Sequence, residues 1–340
     1  MKKKSYLVTG GSGFLGLHLI LQLLNQGEFV RTTLRSLEKQ AEVIATLKKA
    51  GAQNLDKLEF VQADLLSDDG WQEAMTEIEG VFSVASPVFF GKVTNPDEII
   101  ETSRLGIQRI LHFAKGMHVK RVVMTSNFGA VGFSEKAKAG GVTTERNWTN
   151  ESEKGLSIYE KSKLLAEKEA WGIANQPETT FEFVTVNPVA IFGPSLNAHT
   201  SGSVSLITNL LDGSMKRVPQ IPLNIVDVRD VASAHVLAMM IPKAAGNRFI
   251  LSAAGMITLT EIAQMIKKDR PLVSQKVSGK KLPDWVIHIG ATFNQHAAEG
   301  ELLLHMNRVI STENAQNILG WKSQYTNAEI VLNTVDSLAI

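Results

Sequence analysis

Short apolar runs alternate with longer helical patterns along the first half of this chain. The apolar runs occupy residues 6–9, 29–34, 58–62, 80–85, 121–125 and 181–187. Between them, the spacing of apolar residues predicts helices at 13–25, 37–50, 70–78, 96–117 and 157–175. Because the runs are mostly apolar and do not alternate with polar residues, they are typical of strands buried on both faces of a parallel sheet. The pattern therefore predicts an α/β fold with a doubly wound parallel sheet.

The alternation stops after Pro188. Short strands are predicted at 225–228 and 248–252, with a helix at 230–241 between them, and the chain is mostly helical from residue 258 onward. One helix is expected to begin at Ser311 or Thr312, with Glu313 in its first turn. We therefore expect a sheet domain formed by residues 1–188 plus 223–256. A smaller, mostly helical lobe would comprise residues 189–222 plus 257–340.

Composition excludes several classes of function. The 340 residues include 35 basic and 34 acidic side chains, so the charge balance favours neither nucleic acid nor a membrane surface as a partner. The absence of cysteine excludes disulfides and thiolate chemistry. Glycines interrupt the apolar stretch after the basic N-terminus, and no segment has 18 uninterrupted apolar residues. We expect a cytoplasmic protein without a membrane segment.

The segment YLVTGGSGFLG places a glycine-rich turn between the first predicted strand and the first helix. Gly10 would allow a tight turn, Gly13 would let the backbone approach a pyrophosphate, and Gly16 would let the helix pack closely on the strand. The helix N-terminus would then face the anion. This pattern predicts a Rossmann-type nucleotide-binding fold. The residues expected to contact the cofactor here are Gly10, Ser12, Gly13, Phe14, Leu15 and Gly16.

The end of the second strand indicates which nicotinamide cofactor is bound. An NAD site needs a carboxylate there for the ribose 2′-hydroxyl. This chain has Arg35 directly after the strand and Lys39 one turn later, while Glu28 lies at the opposite end. Cations at this position favour a 2′-phosphate, so we predict NADP(H).

Further cofactor contacts are predicted from topology alone, because they follow the carboxyl ends of other strands. One of them, Asp64, would accept a hydrogen bond from the adenine amino group. These additional residues are Asp64 and Leu65 after the third strand, Ala85, Ser86 and Pro87 after the fourth, and Pro188, Val189 and Ile191 after the sixth.

Tyr159 and Lys163 are spaced i, i+4 in a predicted helix and therefore share one face. A phenol with a pKa near 10 is a poor proton donor at neutral pH. A neighbouring ammonium would lower that pKa and could also hold the nicotinamide ribose. We therefore expect Tyr159 and Lys163 to be catalytic and to contact the cofactor.

Taken together, these segments resemble the extended short-chain dehydrogenases/reductases. Within that family they are most similar to the dihydroflavonol reductase, cinnamoyl-CoA reductase and yeast-type methylglyoxal/aldehyde reductase group. The resemblance extends from the glycine turn to residues 319–321. The matching segments are VTGGSGFLG, ADL, VASPV, RVVMTS, TERNW, YEKSKLLAEKEAW, VNPVAIFGP and VDVRDVASAH.

The resemblance implies NADPH-dependent reduction of a small aldehyde or ketone, with Tyr159 as the proton donor and Arg35 and Lys39 as ligands of the 2′-phosphate. It also implies that the helical lobe, together with Phe128 and Phe192, shapes an apolar substrate pocket.

The fifth strand departs from the family pattern. The family usually has Thr-Ser-Ser at this point, and its second serine binds the substrate carbonyl. Here Asn127 occupies that place and Ser126 precedes it. An asparagine amide could donate the same hydrogen bond, whereas a bulge could instead turn Ser126 toward the substrate. Both residues remain catalytic candidates.

Two other functions compete with this interpretation. A sugar-nucleotide epimerase or dehydratase would retain NAD, which Arg35 disfavours. A regulator that only senses NADP(H) would not need Tyr159 and Lys163. No metal site is expected, because His296 and Glu299 form only an isolated pair. The protein is expected to be a monomer, or a homodimer formed through the helices at 96–117 and 157–175.

Overall fold

The computed structural model describes residues 5–86, 96–138 and 140–338. Its strands, in chain order, are β1 (Ser5–Val8), β2 (Phe29–Leu34), β3 (Leu58–Gln62), β4 (Gly80–Ser83), β5 (Arg121–Thr125), β6 (Glu182–Pro188), β7 (Ala190–Phe192), β8 (Val218–Pro219), β9 (Pro222–Leu223), β10 (Ile225–Asp227), β11 (Arg248–Leu251), β12 (Ile257–Thr258) and β13 (Lys281–Leu282).

The helices described are α1 (Phe14–Asn25), α2 (Gln40–Lys49), α3 (Trp71–Met75), α4 (Pro96–Gly116), α5 (Gly129–Gly132), α6 (Ile158–Ala174), α7 (Val204–Leu211), α8 (Val228–Met240), α9 (Leu259–Asp269), α10 (Asp284–Gly290), α11 (Gln295–His305), α12 (Glu313–Leu319) and α13 (Asn327–Leu338). Short 3₁₀ turns occupy Leu37–Lys39, Leu55–Lys57 and Pro242–Ala244. None of the described helices is long and apolar enough to cross a bilayer.

Seven strands form one sheet in the order β11-β6-β5-β4-β1-β2-β3, and every pair in it is parallel. The prediction of a doubly wound, Rossmann-type sheet is confirmed. The order reverses between β1 and β4, which lie side by side although two strands separate them in the chain. In such sheets ligands bind outside the carboxyl ends of the strands at this switch point.

Both faces of the sheet are covered by apolar side chains, as the continuously apolar runs predicted. In β5, Val123 packs on the face covered by α1 and α8, while Val122 and Met124 pack on the face covered by α4 and α6. Val122 and Val123 are fully buried. Burying a side chain of this size contributes about 1.5–3 kcal/mol.

Some element boundaries differ from the predicted ones. The strand predicted at 80–85 ends at Ser83, because the backbone amides of Val84 and Ala85 both donate to Thr9 Oγ1 at 2.9 Å and turn the chain out of the sheet. The helix predicted at 70–78 ends at Met75, and Glu77 then takes a left-handed φ of 60°.

The remaining strands form three small two-stranded sheets, β7 with β10, β8 with β13 and β9 with β12. The predicted helix start near residue 312 is present, and the Ser311 hydroxyl accepts the Glu313 amide at 3.2 Å. The division into segments 1–188 plus 223–256 and 189–222 plus 257–340 stays a prediction.

Candidate functional site

The glycine turn connects β1 to α1 as predicted. Gly10 has a φ of +74°, which residues with a side chain rarely adopt. A Cβ on Gly16 would lie 2.5 Å from the Gly10 carbonyl oxygen, so only glycine lets α1 pack this closely. A Cβ on Gly13 would lie 3.2 Å from the same oxygen. The turn therefore depends on all three glycines.

Gly11 is a functional position that the sequence analysis missed. A Cβ there would lie 2.1 Å from Thr32 Oγ1, and the Gly11 amide donates to the Thr33 carbonyl at 3.2 Å. The turn is thus held against β2. The repeat Gly10-x-x-Gly13-x-x-Gly16 gives no signal for this contact, because its partner lies in another strand.

The first turn of α1 has the properties of an anion site. No side chain caps its N-terminus and none of its first residues is acidic, so its first amides are left for an anion. Phe14 and Leu15 are buried, and only their backbone can face a ligand. Ser12 is half-buried, and its carbonyl accepts Asn197 Nδ2 at 3.3 Å.

The predicted contacts after β3 and β4 lie beside this turn. The position that a Cβ of Gly10 would take is 3.1 Å from Ala85 Cα. One small cavity is lined by Leu65, Ala85, Ser86 and Lys163, so it brings together residues that were predicted from separate segments. Pro87 lies outside the described residues. The larger hollow between α4 and α6 contains none of the predicted site residues.

Asp64 has a structural role in addition to any contact with adenine. Its Oδ1 accepts the Leu66 amide at 3.0 Å, and its carbonyl accepts Trp71 Nε1 at 2.9 Å. One carboxylate oxygen therefore shapes the turn after β3, whereas Oδ2 accepts no hydrogen bond from the described residues.

Arg35 and Lys39 are exposed, and neither side chain has a hydrogen bond or an ion pair within the described ranges. By contrast, Arg31 within β2 is held by Glu59 at 2.8 Å. Arg35 directly follows β2 and Lys39 lies one turn later, and two cations without a partner among the described residues fit a phosphate group that the protein itself does not supply.

Tyr159 and Lys163 lie on α6, which begins after Ser157 because the Ser157 hydroxyl accepts the Glu160 amide at 3.2 Å. The Tyr159 side chain is 54% exposed, whereas Lys163 is 8% exposed. Lys163 Nζ donates to the Thr125 carbonyl at 3.5 Å, which places it at the carboxyl end of β5. The proton-bearing phenol is thus accessible and the ammonium is enclosed.

The surroundings of the two residues act on their pKa values in different directions. Burial lowers the pKa of Lys163 to about 8, although the Glu167 carboxylate opposes this change. The surrounding protein and the Glu160 carboxylate raise the pKa of Tyr159 to about 12, so the phenol holds its proton at neutral pH. The expected lowering of the phenol pKa by Lys163 stays a prediction.

Ser126 continues the ladder of β5 without a bulge. Its amide donates to the Val186 carbonyl at 2.8 Å, and the Phe128 amide donates to the Pro188 carbonyl at 2.8 Å, which is the regular spacing of a parallel pair. The Ser126 side chain is buried, and its hydroxyl donates to Glu167 Oε2 at 2.5 Å. The structure therefore does not contain the bulge that would turn Ser126 toward a substrate.

Asn127 lies beyond the end of β5 and is half-buried. Its Oδ1 accepts the Ala130 amide at 3.1 Å. Only the oxygen of an amide side chain can accept a hydrogen bond. The contact with the Ala130 amide therefore assigns the oxygen to this position and the nitrogen, Nδ2, to the other branch of the side chain. Nδ2 donates to no partner among the described residues and is available to a ligand.

Glu167 is a second residue that the sequence analysis missed. It is completely buried and lies four residues after Lys163 on α6. The repeat of Tyr159, Lys163 and Glu167 at intervals of four was visible in the sequence and places all three on one helix face. An acidic residue on the same helix face as Tyr159 and Lys163 was the signal in the sequence that could have identified Glu167.

The segment after β6 is tied into the fold. Pro188 and Val189 are buried, and the Val189 amide donates to the Leu251 carbonyl at 3.0 Å. Ile191 is half-buried in β7. Phe128 and Phe192 are 3% and 0% exposed and belong to the apolar core, and their expected part in shaping a substrate pocket stays a prediction.

Residues of the glycine turn, β4, β5 and α6 thus meet at the switch point of a parallel sheet. A model of the 3-beta hydroxysteroid dehydrogenase/isomerase family matches residues 7–251. The chain belongs to this family. It is an oxidoreductase of the extended short-chain dehydrogenase/reductase type, as the resemblance in the sequence predicted.

Two of the curated relatives are reductases by name. The chain is 32% identical to tetraketide alpha-pyrone reductase 2 of Arabidopsis thaliana, over 78% of this chain and 83% of the relative. It is also 32% identical to cinnamoyl-CoA reductase CAD2 of Medicago truncatula, over 72% and 74% of the two chains. The fold matches the yeast methylglyoxal/isovaleraldehyde reductase Gre2, solved with NADPH, with a TM-score of 0.79, 25% identity and 98% coverage of both chains.

Proposed function

We propose that the chain is an NADP(H)-dependent reductase of small aldehydes and ketones. The observation that carries this proposal is the pair on α6, where an accessible Tyr159 phenol stands one helical turn from an enclosed Lys163 ammonium, at the strand ends that the glycine turn also borders. The curated relatives are reductases by name, and Gre2 was solved with NADPH.

The residues present fit NADPH. A Cβ at Gly10, Gly11 or Gly16 would collide with neighbouring protein atoms, so glycine is needed for the turn to pack in this way. The turn leads into the uncapped N-terminus of α1, whose amides would bind a pyrophosphate. Arg35 and Lys39 would hold the 2′-phosphate, because they are cations with no partner of their own in the described part of the chain. When bound, NADPH supplies the hydride for the carbonyl carbon.

The protein side chains would supply the proton and orient the substrate. Tyr159 carries its proton at neutral pH and would transfer it to the carbonyl oxygen as negative charge develops there. Lys163, held on the Thr125 carbonyl, would stabilise the resulting phenolate. Asn127 Nδ2 would donate a hydrogen bond to the same carbonyl oxygen, as oxyanion-hole amides do.

The test is oxidation of NADPH in the presence of a panel of small, aromatic and vicinal-dicarbonyl substrates, with NADH as the cofactor control. We expect turnover with NADPH that falls by about 10²–10⁴-fold in Tyr159→Phe. Tyr325→Phe is the matched control, since it removes a hydroxyl from a ring that stacks on Arg229 at 3.7 Å. Its turnover should stay at the wild-type level.

Two outcomes would contradict the proposal. Turnover that persists in Tyr159→Phe would remove the assigned proton donor. Tight NADPH binding with no turnover on any carbonyl would favour an NADP(H)-sensing regulator, and tightly retained NAD would favour an epimerase or dehydratase.

A further inference from the structure

Glu167 is a carboxylate enclosed among hydrogen-bond donors. An ionised carboxylate is costly to bury unless such donors compensate it. We call Glu167, together with Ser126, Thr185, Asn187 and Arg248, the Glu167 centre. The donors to Glu167 are Ser126 Oγ at 2.5 Å, Asn187 Nδ2 at 2.8 Å, Arg248 Nε at 2.8 Å, Thr185 Oγ1 at 3.0 Å and Trp171 Nε1 at 3.3 Å.

This arrangement removes Ser126 from the reaction. A serine hydroxyl has a single proton to donate, and Ser126 gives it to Glu167. The Ser126 side chain is buried against α6 and contacts Glu167 there.

The same carboxylate reaches Asn127 through Asn187. Asn187 Nδ2 donates to Glu167 Oε2 at 2.8 Å and to the Asn127 carbonyl at 3.2 Å. Asn127 is therefore held at its backbone by Asn187 and at its side chain by the Ala130 amide. Its Nδ2 is the part that both contacts leave to the substrate.

We propose that Glu167 is the positioning residue of this site. It accepts the only proton of the Ser126 hydroxyl, so Ser126 cannot donate to a substrate. Through Asn187 it also holds the backbone of Asn127, whose side-chain amide would donate to the substrate carbonyl. The inference rests on the proposed reductase function for its last step, whereas the hydrogen bonds of Glu167 do not depend on that function.

Charge supports this role. Glu167 raises the pKa of Lys163 against the lowering by burial, so the carboxylate keeps the enclosed ammonium protonated. Arg248 is the other charged group that faces Glu167, at 2.8 Å. His235 contacts Thr125 Oγ1 at 2.7 Å and is neutral near pH 7, because burial lowers its pKa to about 4.

The first test separates the two candidates by kcat and KM in Ser126→Ala and Asn127→Ala. We expect Asn127→Ala to lose about 10²-fold in kcat, with the KM for NADPH unchanged. Ser126→Ala should keep kcat near the wild-type value. An equal loss in both variants, or a loss confined to Ser126→Ala, would overturn the proposal. Neither variant removes a buried charge, so this comparison decides even if Glu167→Gln does not fold.

The second test measures Glu167 without turnover. The pKa of Lys163 is followed by NMR of ¹³C-labelled lysine, with the resonance assigned from Lys163→Arg. We expect Glu167→Gln to lower the pKa of Lys163 by about one unit, because an opposite charge is lost. The matched control is Glu178→Gln, an exposed position beyond the end of α6, which should change nothing. If the pKa of Lys163 were unchanged in Glu167→Gln, the proposed effect of the Glu167 charge on Lys163 would be overturned.

These readouts distinguish the two proposals. Wild-type protein without turnover on any carbonyl would remove the reductase function, and the titration of Lys163 would still decide whether Glu167 governs this ammonium.

Discussion

The glycine turn and the Glu167 centre border the same site and are built in opposite ways. The turn uses residues of one strand–turn–helix unit and the next strand, and its contacts are fixed by the absence of side chains. The Glu167 centre joins residues that are far apart in the chain, such as Glu167 and Arg248, which are 81 positions apart, and its contacts are fixed by side chains that satisfy one another. In the proposed reductase, local geometry would thus prepare the cofactor side of the site, and long-range polar packing would prepare the catalytic side.

The two regions also differ in how their charges are treated. Arg35 and Lys39 are exposed and unpaired among the described residues, so they can neutralise a ligand. Glu167 and Arg248 are buried and neutralise each other. We therefore expect that exposed, unpaired charges can be removed with little effect on stability, whereas removing one member of a buried ion pair lowers the stability of the fold.

The largest effect on stability is expected from Arg248→Met. This change leaves Glu167 buried without its cation, which costs about 3–5 kcal/mol of unfolding free energy. Arg270→Met is the matched control, since Arg270 pairs with Asp336 at 2.7 Å on the surface and should lose less than about 1 kcal/mol. Urea unfolding measures both. Equal losses would mean that burial does not distinguish the two pairs.

A smaller effect is expected from pH, through His235 beside Thr125. Nδ1 of His235 faces the Val231 carbonyl and must donate, so Nε2 accepts the Thr125 hydroxyl and the ring is neutral. Burial lowers the pKa of His235 from 6.5 to about 4. The unfolded chain therefore binds this proton first, and about 3 kcal/mol of stability, present above pH 6.5, is lost as the pH falls toward 4.

Urea unfolding between pH 7 and pH 4 checks this expectation. His235→Gln should show a shallower decline in stability than wild type over this range. The control is His112→Gln at an exposed position, which should keep the wild-type slope. A decline that is identical in all three proteins would exclude His235 as its source.

Gly16→Ala should lower the free energy of unfolding by about 1–3 kcal/mol, because the new Cβ meets the Gly10 carbonyl oxygen and the backbone must shift. NADPH binding should weaken together with stability. Gly172→Ala in α6 is the matched control, since nothing lies within 4 Å of its Cβ position. It should stabilise the protein by up to about 1 kcal/mol. Thermal unfolding and NADPH titration report both quantities, and a neutral Gly16→Ala would contradict the close packing.

The smallest effect concerns binding alone. Arg35→Ala should weaken NADPH binding about tenfold through the loss of a charged contact, leave NADH binding unchanged and leave the unfolding free energy near wild type. Lys48→Ala, an exposed change on α2, serves as the control for general charge. Fluorescence titration with both cofactors measures this difference. An equal loss for NADH would show that Arg35 does not contact a 2′-phosphate.

Much of the fold could be predicted because its signals are local. The strands at 29–34, 58–62 and 121–125 have the predicted bounds, since short runs rich in apolar and β-branched residues between helical patterns favour strands. The turn at Gly10 could also be predicted, because its signal is the spacing of three glycines within one short segment. The early end of β4 could not, because it depends on Thr9, which lies in a different segment of the chain.

The candidate site divides in the same way. The sequence by itself determined the sheet, the glycine turn and the placing of Tyr159 and Lys163 on one face of α6, because backbone periodicity and steric limits act over a few residues. Only the tertiary structure decided that Ser126 faces Glu167, that Asn127 Nδ2 is left without a partner in the described ranges, and that burial lowers the pKa of Lys163. Hydrogen-bond partners and desolvation are properties of the packed interior, which brings together residues that the chain keeps far apart.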